Sequence, residues 1–192
     1  MAEVLLFHHA QGQTAGFLGF AAELRRAGHL VHTPDLYAGR TFTSLDDGLA
    51  HARTIGFDNL LEYGVRAADT LPGDLVYAGF SLGVMPAQKL AQTRPGARGA
   101  LFFESCLPAS EFGDSWPEEL PVQVHGMDAD PFFTDGGDLD AARELLVSAK
   151  HGELFLYPGS RHLFADSSLP SYDADAAGLL TRRTLDFLAT WS

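Results

Sequence analysis

The chain has 192 residues, 46% hydrophobic and 20% charged, which excludes wholesale disorder and predicts a single domain over residues 1–192. Its formal net charge is −12, so nucleic acid and anionic membrane surfaces are not expected partners. The single cysteine, Cys106, excludes an intrachain disulfide and a thiolate zinc cluster. The amino terminus lacks the basic segment of a signal peptide, and no apolar run approaches a membrane span, so we expect a cytoplasmic protein.

Hydrophobic patterning predicts six short strands that alternate with helices. The predicted strands are 4–7, 30–33, 74–80, 97–104, 122–125 and 153–157. Helices are predicted over 14–28, from the end of the third strand through residue 94, over 139–149 and over 173–191. The segment 45–68 is predicted to form one broken helix or two short ones. This alternation implies parallel pairing and a three-layer α/β fold, a mostly parallel central sheet with helices on both faces.

Four loops follow the predicted strand ends, and in an open α/β sheet such loops hold the reactive groups. They cover residues 36–45, an irregular loop or lid at 105–121, an acidic loop at 126–140, and 158–170. Loops of this length often have a function.

The strongest chemical signal is Gly79-Phe80-Ser81-Leu82-Gly83, a G-x-S-x-G sequence between a predicted strand and a predicted helix. Glycines two before and two after Ser81 relieve crowding in a sharp turn, so the serine can project its hydroxyl above the sheet. The start of a helix also favours developing negative charge. This context predicts a nucleophile; the alternative is a glycine-rich turn with an incidental serine.

A serine nucleophile needs a base and an orienting carboxylate, which follow the serine in the order acid, then histidine. The loop after the fifth strand holds Asp128 and Asp130, and the loop after the sixth holds His162. We favour Asp130 as the acid because Pro131 fixes the turn beside it, with Asp128 as the alternative. His162 is the predicted base, and the alternative is a surface or capping histidine.

An oxyanion hole needs two backbone amides. We expect them at Leu82, after the serine, and at Ala10, in the loop that Gly12 allows to turn tightly. His8 and His9 precede this loop, but neighbouring strand residues point to opposite faces, so we expect no metal site. Candidate substrate-binding residues at the same sheet edge are Gln11, Tyr37, Arg40, Glu104 and Phe164.

With these residues placed, the chain resembles the dienelactone hydrolase family of α/β-hydrolases from Leu5 to about Leu188. The resemblance rests on Gln11-Gly12, Pro34-Asp35-Leu36-Tyr37, the serine turn, Asp130-Pro131 and Gly159-Ser160-Arg161-His162. It implies a triad of Ser81, Asp130 and His162, oxyanion donors at Ala10 and Leu82, and no cofactor.

Several positions depart from the family pattern. Dienelactone hydrolases proper use a cysteine nucleophile where this chain has Ser81, and they hold a substrate carboxylate with arginines. Asp166 stands where one of these arginines would lie, Gly39 displaces the other to Arg40, and His9 replaces a glutamate. A substrate carboxylate would therefore meet an acidic residue, which argues against dienelactone itself.

The sequence thus predicts a serine hydrolase of a small-molecule carboxylic ester or lactone. Two alternatives use the same fold: a silent protein that binds a ligand or partner, and an acyltransferase with the same triad. Fold analogy leaves the acyl and alcohol parts of the substrate and the oligomeric state open.

Overall fold

A sheet of six parallel strands forms the centre of the computed structural model, which describes residues 1–191. The strands are β1 (Glu3–Phe7), β2 (Leu30–His32), β3 (Val76–Phe80), β4 (Gly99–Phe103), β5 (Val122–Met127) and β6 (Gly152–Tyr157). Their order is β2-β1-β3-β4-β5-β6, and every neighbouring pair is parallel. The order reverses direction between β1 and β3, which is where open α/β sheets place their ligands.

Helices cover both faces of this sheet. They are α1 (Ala15–Arg26), α2 (Leu45–Ile55), α3 (Phe57–Ala67), α4 (Val84–Thr93), α5 (Pro131–Thr134), α6 (Asp138–Ser148) and α7 (Ala174–Ala189). Helices α1 and α7 pack on one face, and α2, α3, α4 and α6 pack on the other. Alternate residues of β1 divide between the two cores, as the two-residue period of a strand requires: Val4 and Leu6 join the first, Leu5 and Phe7 the second.

The central strands β3, β4 and β5 are buried at every position, as continuous apolar runs between two helix layers should be. Local signals begin and end the helices beside them. Thr14 caps α1 by accepting the Phe17 N–H at 3.2 Å. Gly56, with φ of 91°, separates α2 from α3 because a left-handed backbone ends a helix. The predicted fold class is confirmed, and the 45–68 segment forms two helices.

Two loop predictions need correction or detail. The acidic loop expected at 126–140 is shorter, because β5 continues to Met127 and Asp130 caps the one-turn helix α5. The segment 105–121 is irregular apart from a 3₁₀ turn, Ala109–Glu111, and it packs onto α4. Gln88 exchanges hydrogen bonds with the Leu107 backbone at 2.7 and 3.0 Å, and Trp116 is buried in the core.

None of the helices in residues 1–191 combines the length and apolar character that crossing a membrane requires.

Candidate active site

Ser81 lies at the sharp turn between β3 and α4, within a single 3₁₀ turn, Ser81–Gly83. Its φ of 47° is a left-handed backbone angle that is rare for a non-glycine residue. The flanking glycines make this turn possible. A Cβ atom on Gly79 would collide with the Gly83 backbone, and one on Gly83 would lie 2.5 Å from the Phe7 carbonyl oxygen. The turn is therefore held by close backbone packing that only glycine allows.

A chain of hydrogen bonds joins Ser81, His162 and Asp130. The Ser81 Oγ lies 2.9 Å from His162 Nε2, and His162 Nδ1 lies 2.6 Å from Asp130 Oδ2. The carboxylate accepts the Nδ1 proton, which leaves Nε2 to accept the serine hydroxyl proton. Asp130 Oδ1 accepts the Phe132 N–H at 3.0 Å, so both carboxylate oxygens are fixed.

Asp128, the alternative acid, does not contact His162. It is exposed, and its Oδ1 accepts the Gly159 N–H at 3.0 Å. Asp130 is fully buried, and its carboxylate is the one that contacts the imidazole.

Three acidic groups act on His162. Burial by itself lowers the pKa of His162, but the hydrogen bond to Asp130 and the charges of Glu104, Asp130 and Asp138 together raise it above its ordinary value. These groups come from the ends of β4 and β5 and from α6. The arrangement favours an imidazole that accepts a proton and is stabilised once it is charged.

The loop after β1 begins in contact with the serine turn, because a Cβ on Gly83 would strike the carbonyl oxygens of Phe7 and His8. Among residues 1–191, no acceptor takes the N–H of Ala10 or of Leu82 in a turn, loop or cap hydrogen bond. A Cβ on Gly48 of α2 would collide with the Ala10 backbone, so α2 packs directly against this loop. The two amides expected to hold an oxyanion are thus without an internal partner in this part of the chain.

His8 and His9 are both used inside the protein. His8 Nδ1 donates to the His9 carbonyl at 2.8 Å, its Nε2 accepts the Leu36 N–H at 3.0 Å, and burial lowers its pKa to about 4. His9 Nδ1 accepts the Gln11 N–H at 3.2 Å, and its Nε2 donates to Asp166 at 2.8 Å. Within residues 1–191, no group of three or more His, Cys, Asp or Glu side chains is arranged to hold a metal.

Asp166 is turned inward rather than toward a substrate. It is 4% exposed, and its oxygens accept hydrogen bonds from His9, Thr14 and Ser168. The expectation that a substrate carboxylate would meet this acid is therefore wrong. The structural reason is that His9 and Asp166 pair with each other and join the loop after β1 to the segment after His162.

Four of the five candidate substrate-binding side chains are buried in the protein. Gln11 donates to the Phe42 carbonyl at 3.0 Å, Phe164 is in the core, and burial raises the pKa of Tyr37 to about 12. Glu104 is 1% exposed, whereas Arg40 is exposed. A substrate contact by these five residues stays a prediction.

One aromatic residue that the sequence places at this edge of the sheet, with a core position favoured over a pocket position, lies at the surface of the site. Phe132 is 50% exposed, and its ring centroid lies 4.7 Å from that of His162. It is placed there because α5 begins immediately after Asp130. The only sequence signal is the Phe132-Phe133 pair behind Asp130-Pro131: Phe133 is buried, and its neighbour is left facing outward.

The model of the dienelactone hydrolase family matches residues 1–192. No curated protein matches the chain. A solved dienelactone hydrolase from Anabaena variabilis is 16% identical, with a TM-score of 0.69 over 99% of this chain and 86% of that one.

Two other solved structures have slightly higher TM-scores. A dienelactone hydrolase-like promiscuous phosphotriesterase from metagenomic libraries is 18% identical, with a TM-score of 0.74 over 99% of this chain and 86% of that one. Thermogutta terrifontis esterase 2, phosphonylated by cyclosarin, is 14% identical, with a TM-score of 0.73 over 100% of this chain and 83% of that one. At such identities, the likeness to these structures demonstrates the fold.

Proposed function

The chain belongs to the dienelactone hydrolase family, and on this premise we propose that it is a serine-dependent hydrolase of a small-molecule carboxylic ester or lactone. The family supports the coarser assignment, a hydrolase of the ester type. The finer assignment rests on one observation, the unbroken series of hydrogen bonds from Ser81 through His162 to Asp130.

In the first half of the proposed reaction, Ser81 Oγ attacks the ester carbonyl while His162 Nε2 takes its proton. Asp130 keeps the imidazole in the required tautomer and stabilises the imidazolium. The Leu82 and Ala10 amides stabilise the negative charge on the carbonyl oxygen. When the tetrahedral intermediate collapses, the protonated His162 gives its proton to the leaving alcohol, and an acyl-serine remains.

In the second half, a water molecule takes the place of the alcohol. His162 removes a proton from the water, the resulting hydroxide attacks the acyl carbonyl, and the bond to Ser81 Oγ breaks. His162 then returns the proton to the serine, and the acid product leaves. If another nucleophile replaced water at this step, the same residues would perform acyl transfer.

The experiment that tests this proposal is covalent labelling with a fluorophosphonate, followed by intact mass measurement. One structural neighbour is an esterase phosphonylated by cyclosarin, which supports the choice of an organophosphonate probe. We expect a single adduct on the wild type that maps to Ser81, no adduct on Ser81→Ala, and labelling slowed at least 100-fold on His162→Ala.

Ser160→Ala is the matched control, because Ser160 is an exposed serine only two residues before His162. It should be labelled at the wild-type rate. An adduct that survives in Ser81→Ala would contradict the assignment of the nucleophile. Labelling without hydrolysis of short-chain p-nitrophenyl esters would redirect the proposal to acyl transfer, and no labelling would redirect it to ligand binding.

A further inference from the structure

Glu104 is a buried carboxyl group that the proposed reaction does not use. It directly follows β4 and is 1% exposed. Its Oε1 accepts the Phe164 N–H at 2.7 Å. Its Oε2 has no hydrogen-bond partner among residues 1–191. A buried carboxyl oxygen without a partner is costly, so its retention here needs a reason beyond packing.

Backbone strain gathers around the same contact. Four non-glycine residues of 1–191 have positive φ, and three of them belong to this site: Ser81 at 47°, Glu104 at 62° and Leu163 at 61°. Leu163 lies between His162 and Phe164. The Glu104–Phe164 hydrogen bond therefore joins the strained Glu104 to the residue directly after the strained Leu163, and it fixes the turn that follows His162. Strain of this kind persists where the surrounding contacts require it, and it clusters at functional sites.

The charges around the pair are consistent with a role that involves the imidazole. Burial raises the pKa of Glu104 to about 7, the nearby positive His162 opposes this rise, and Asp130 and Asp166 add to it. In return, Glu104 and Asp138 contribute to the raised pKa of His162, together with its partner Asp130. The carboxyl groups that act on this pair come from the ends of β4 and β5, from α6 and from the loop after β6, where Asp166 is bound by His9.

We propose that Glu104 is a positioning residue for the proposed reaction. Its carboxyl group fixes the turn after His162 through the Phe164 amide, and its negative charge stabilises the imidazolium that forms when His162 takes the proton from Ser81. The inference rests on the proposed function. It adds Glu104, at the end of β4, as a second carboxylate that acts on His162 beside Asp130, which follows the neighbouring strand β5.

A purely structural anchor would be satisfied by a glutamine, whose amide oxygen accepts the same N–H and whose amide is neutral. Glu104→Gln therefore separates the anchor from the charge. We expect kcat to fall about 10-fold with KM changed less than twofold, because the charge acts when the imidazolium forms. Loss of the negative charge lowers the pKa of His162, so the acidic limb of kcat/KM should move down by about half a pH unit or more.

Glu104→Asp is the conservative partner, because it keeps the charge but shortens the reach to Phe164. It should keep the position of the acidic limb and lose thermal stability. Glu153→Gln is the matched control: Glu153 accepts a 2.8 Å hydrogen bond from Gln123 near the amino ends of β5 and β6, away from the site. It makes the same charge change and should leave both kcat and the pH profile unchanged.

A measurement without turnover separates this inference from the proposed function. In Ser81→Ala protein, the His162 imidazole is titrated by NMR with and without Glu104→Gln, and its signal is assigned by its absence in His162→Gln. A lower His162 pKa in the Glu104→Gln protein supports the inference even if Ser81 proves not to be the nucleophile. An identical titration in the two proteins overturns it even if Ser81 is labelled.

If Glu104→Gln does not fold, the protein with Glu104 intact still decides the matter. Two coupled groups titrate in two steps, so the His162 signal should show a second inflection from the Glu104 carboxyl. A titration with a single inflection would overturn the inference.

Discussion

Two short segments meet at the Ser81–His162 hydrogen bond, and they are held in place by different physical means. The elbow, residues 79–83, is held by backbone packing: a side chain at Gly79 would strike the backbone of Gly83, and one at Gly83 would strike β1. All of these contacts are steric. The elbow should therefore respond to added volume and hardly at all to pH.

The histidine segment, residues 158–168, is held by polar side chains from other strand ends. Three of its long-range hydrogen bonds are donated by His162 to Asp130, by the Phe164 amide to Glu104 and by His9 to Asp166. Each involves an ionisable group, so this segment should respond to charge and pH. The difference separates two ways for a variant to fail: a damaged elbow fails through steric collision, whereas the effect of a change in the histidine segment depends on charge and on pH.

The largest effect is expected when the histidine segment loses its charged hydrogen bond to Asp130. Asp130→Asn keeps the shape of the side chain but can hold His162 in the wrong tautomer, with Nε2 protonated. We expect kcat/KM for an activated ester to fall about 10³–10⁴-fold, while the unfolding midpoint in urea changes little.

Asp128→Asn is the control for this prediction. The aspartate is exposed, and the asparagine keeps an oxygen that can accept the Gly159 N–H, so activity should stay within about twofold of wild type. If the two variants lost activity equally, the assignment of the acid to Asp130 would be refuted.

The elbow is tested by volume. In Gly83→Ala the new methyl group would lie 2.5 Å from the Phe7 carbonyl oxygen and 2.7 Å from that of His8, and neither can move without moving β1. We expect a loss of about 2–3 kcal/mol in the free energy of unfolding, measured in urea, and slower fluorophosphonate labelling of Ser81.

Gly178→Ala provides the comparison, since a Cβ on this α7 glycine would meet nothing within 4 Å. It should stabilise the protein by about 0.5–1 kcal/mol and leave labelling unchanged. A Gly83→Ala protein as stable and as reactive as wild type would mean that close packing does not hold the elbow.

This contrast explains how much could be predicted from the sequence. The six strands and the elbow depend on short-range patterns, and the whole elbow motif lies within five consecutive residues, 79–83. The preference for Asp130 over Asp128 also rests on a local feature, because Pro131 begins α5 and Asp130 caps it.

The histidine segment could be predicted only in part. His162 itself follows a Pro-Gly turn, but the inward rotation of Asp166 depends on His9, 157 residues away. The contact of Glu104 with Phe164 spans 60 residues and requires a left-handed angle at a residue type that seldom adopts one. No local pattern specifies such pairs, since each depends on which strand ends the topology brings together.

The smallest effect concerns the His9–Asp166 link, which connects the histidine segment to the loop after β1. Asp166→Asn removes the charge that strengthens the hydrogen bonds from His9, Thr14 and Ser168. We expect a loss of about 2 kcal/mol in unfolding free energy at pH 7. We also expect a few-fold loss of kcat/KM, because His9 helps to fix the loop that includes the Ala10 amide.

The pH dependence of this loss gives the sharpest test. Burial alone would raise the pKa of Asp166, but the hydrogen bonds from His9, Ser168 and Thr14 outweigh burial and lower the pKa from 3.8 to about 2. A carboxyl group whose pKa is lower in the folded than in the unfolded protein stabilises the fold fully when the pH is above its unfolded pKa. This stabilisation is lost as the pH falls through the folded pKa. The difference in the free energy of unfolding between wild type and Asp166→Asn, measured in urea, should thus be equal at pH 7 and pH 5 and smaller at pH 3. Glu3→Gln is the control, because the Glu3–His32 pair is more exposed, and it should lower the free energy of unfolding by less than about 1 kcal/mol. If the loss for Asp166→Asn instead grew on acidification, the Asp166 carboxylate would not be what holds the segment.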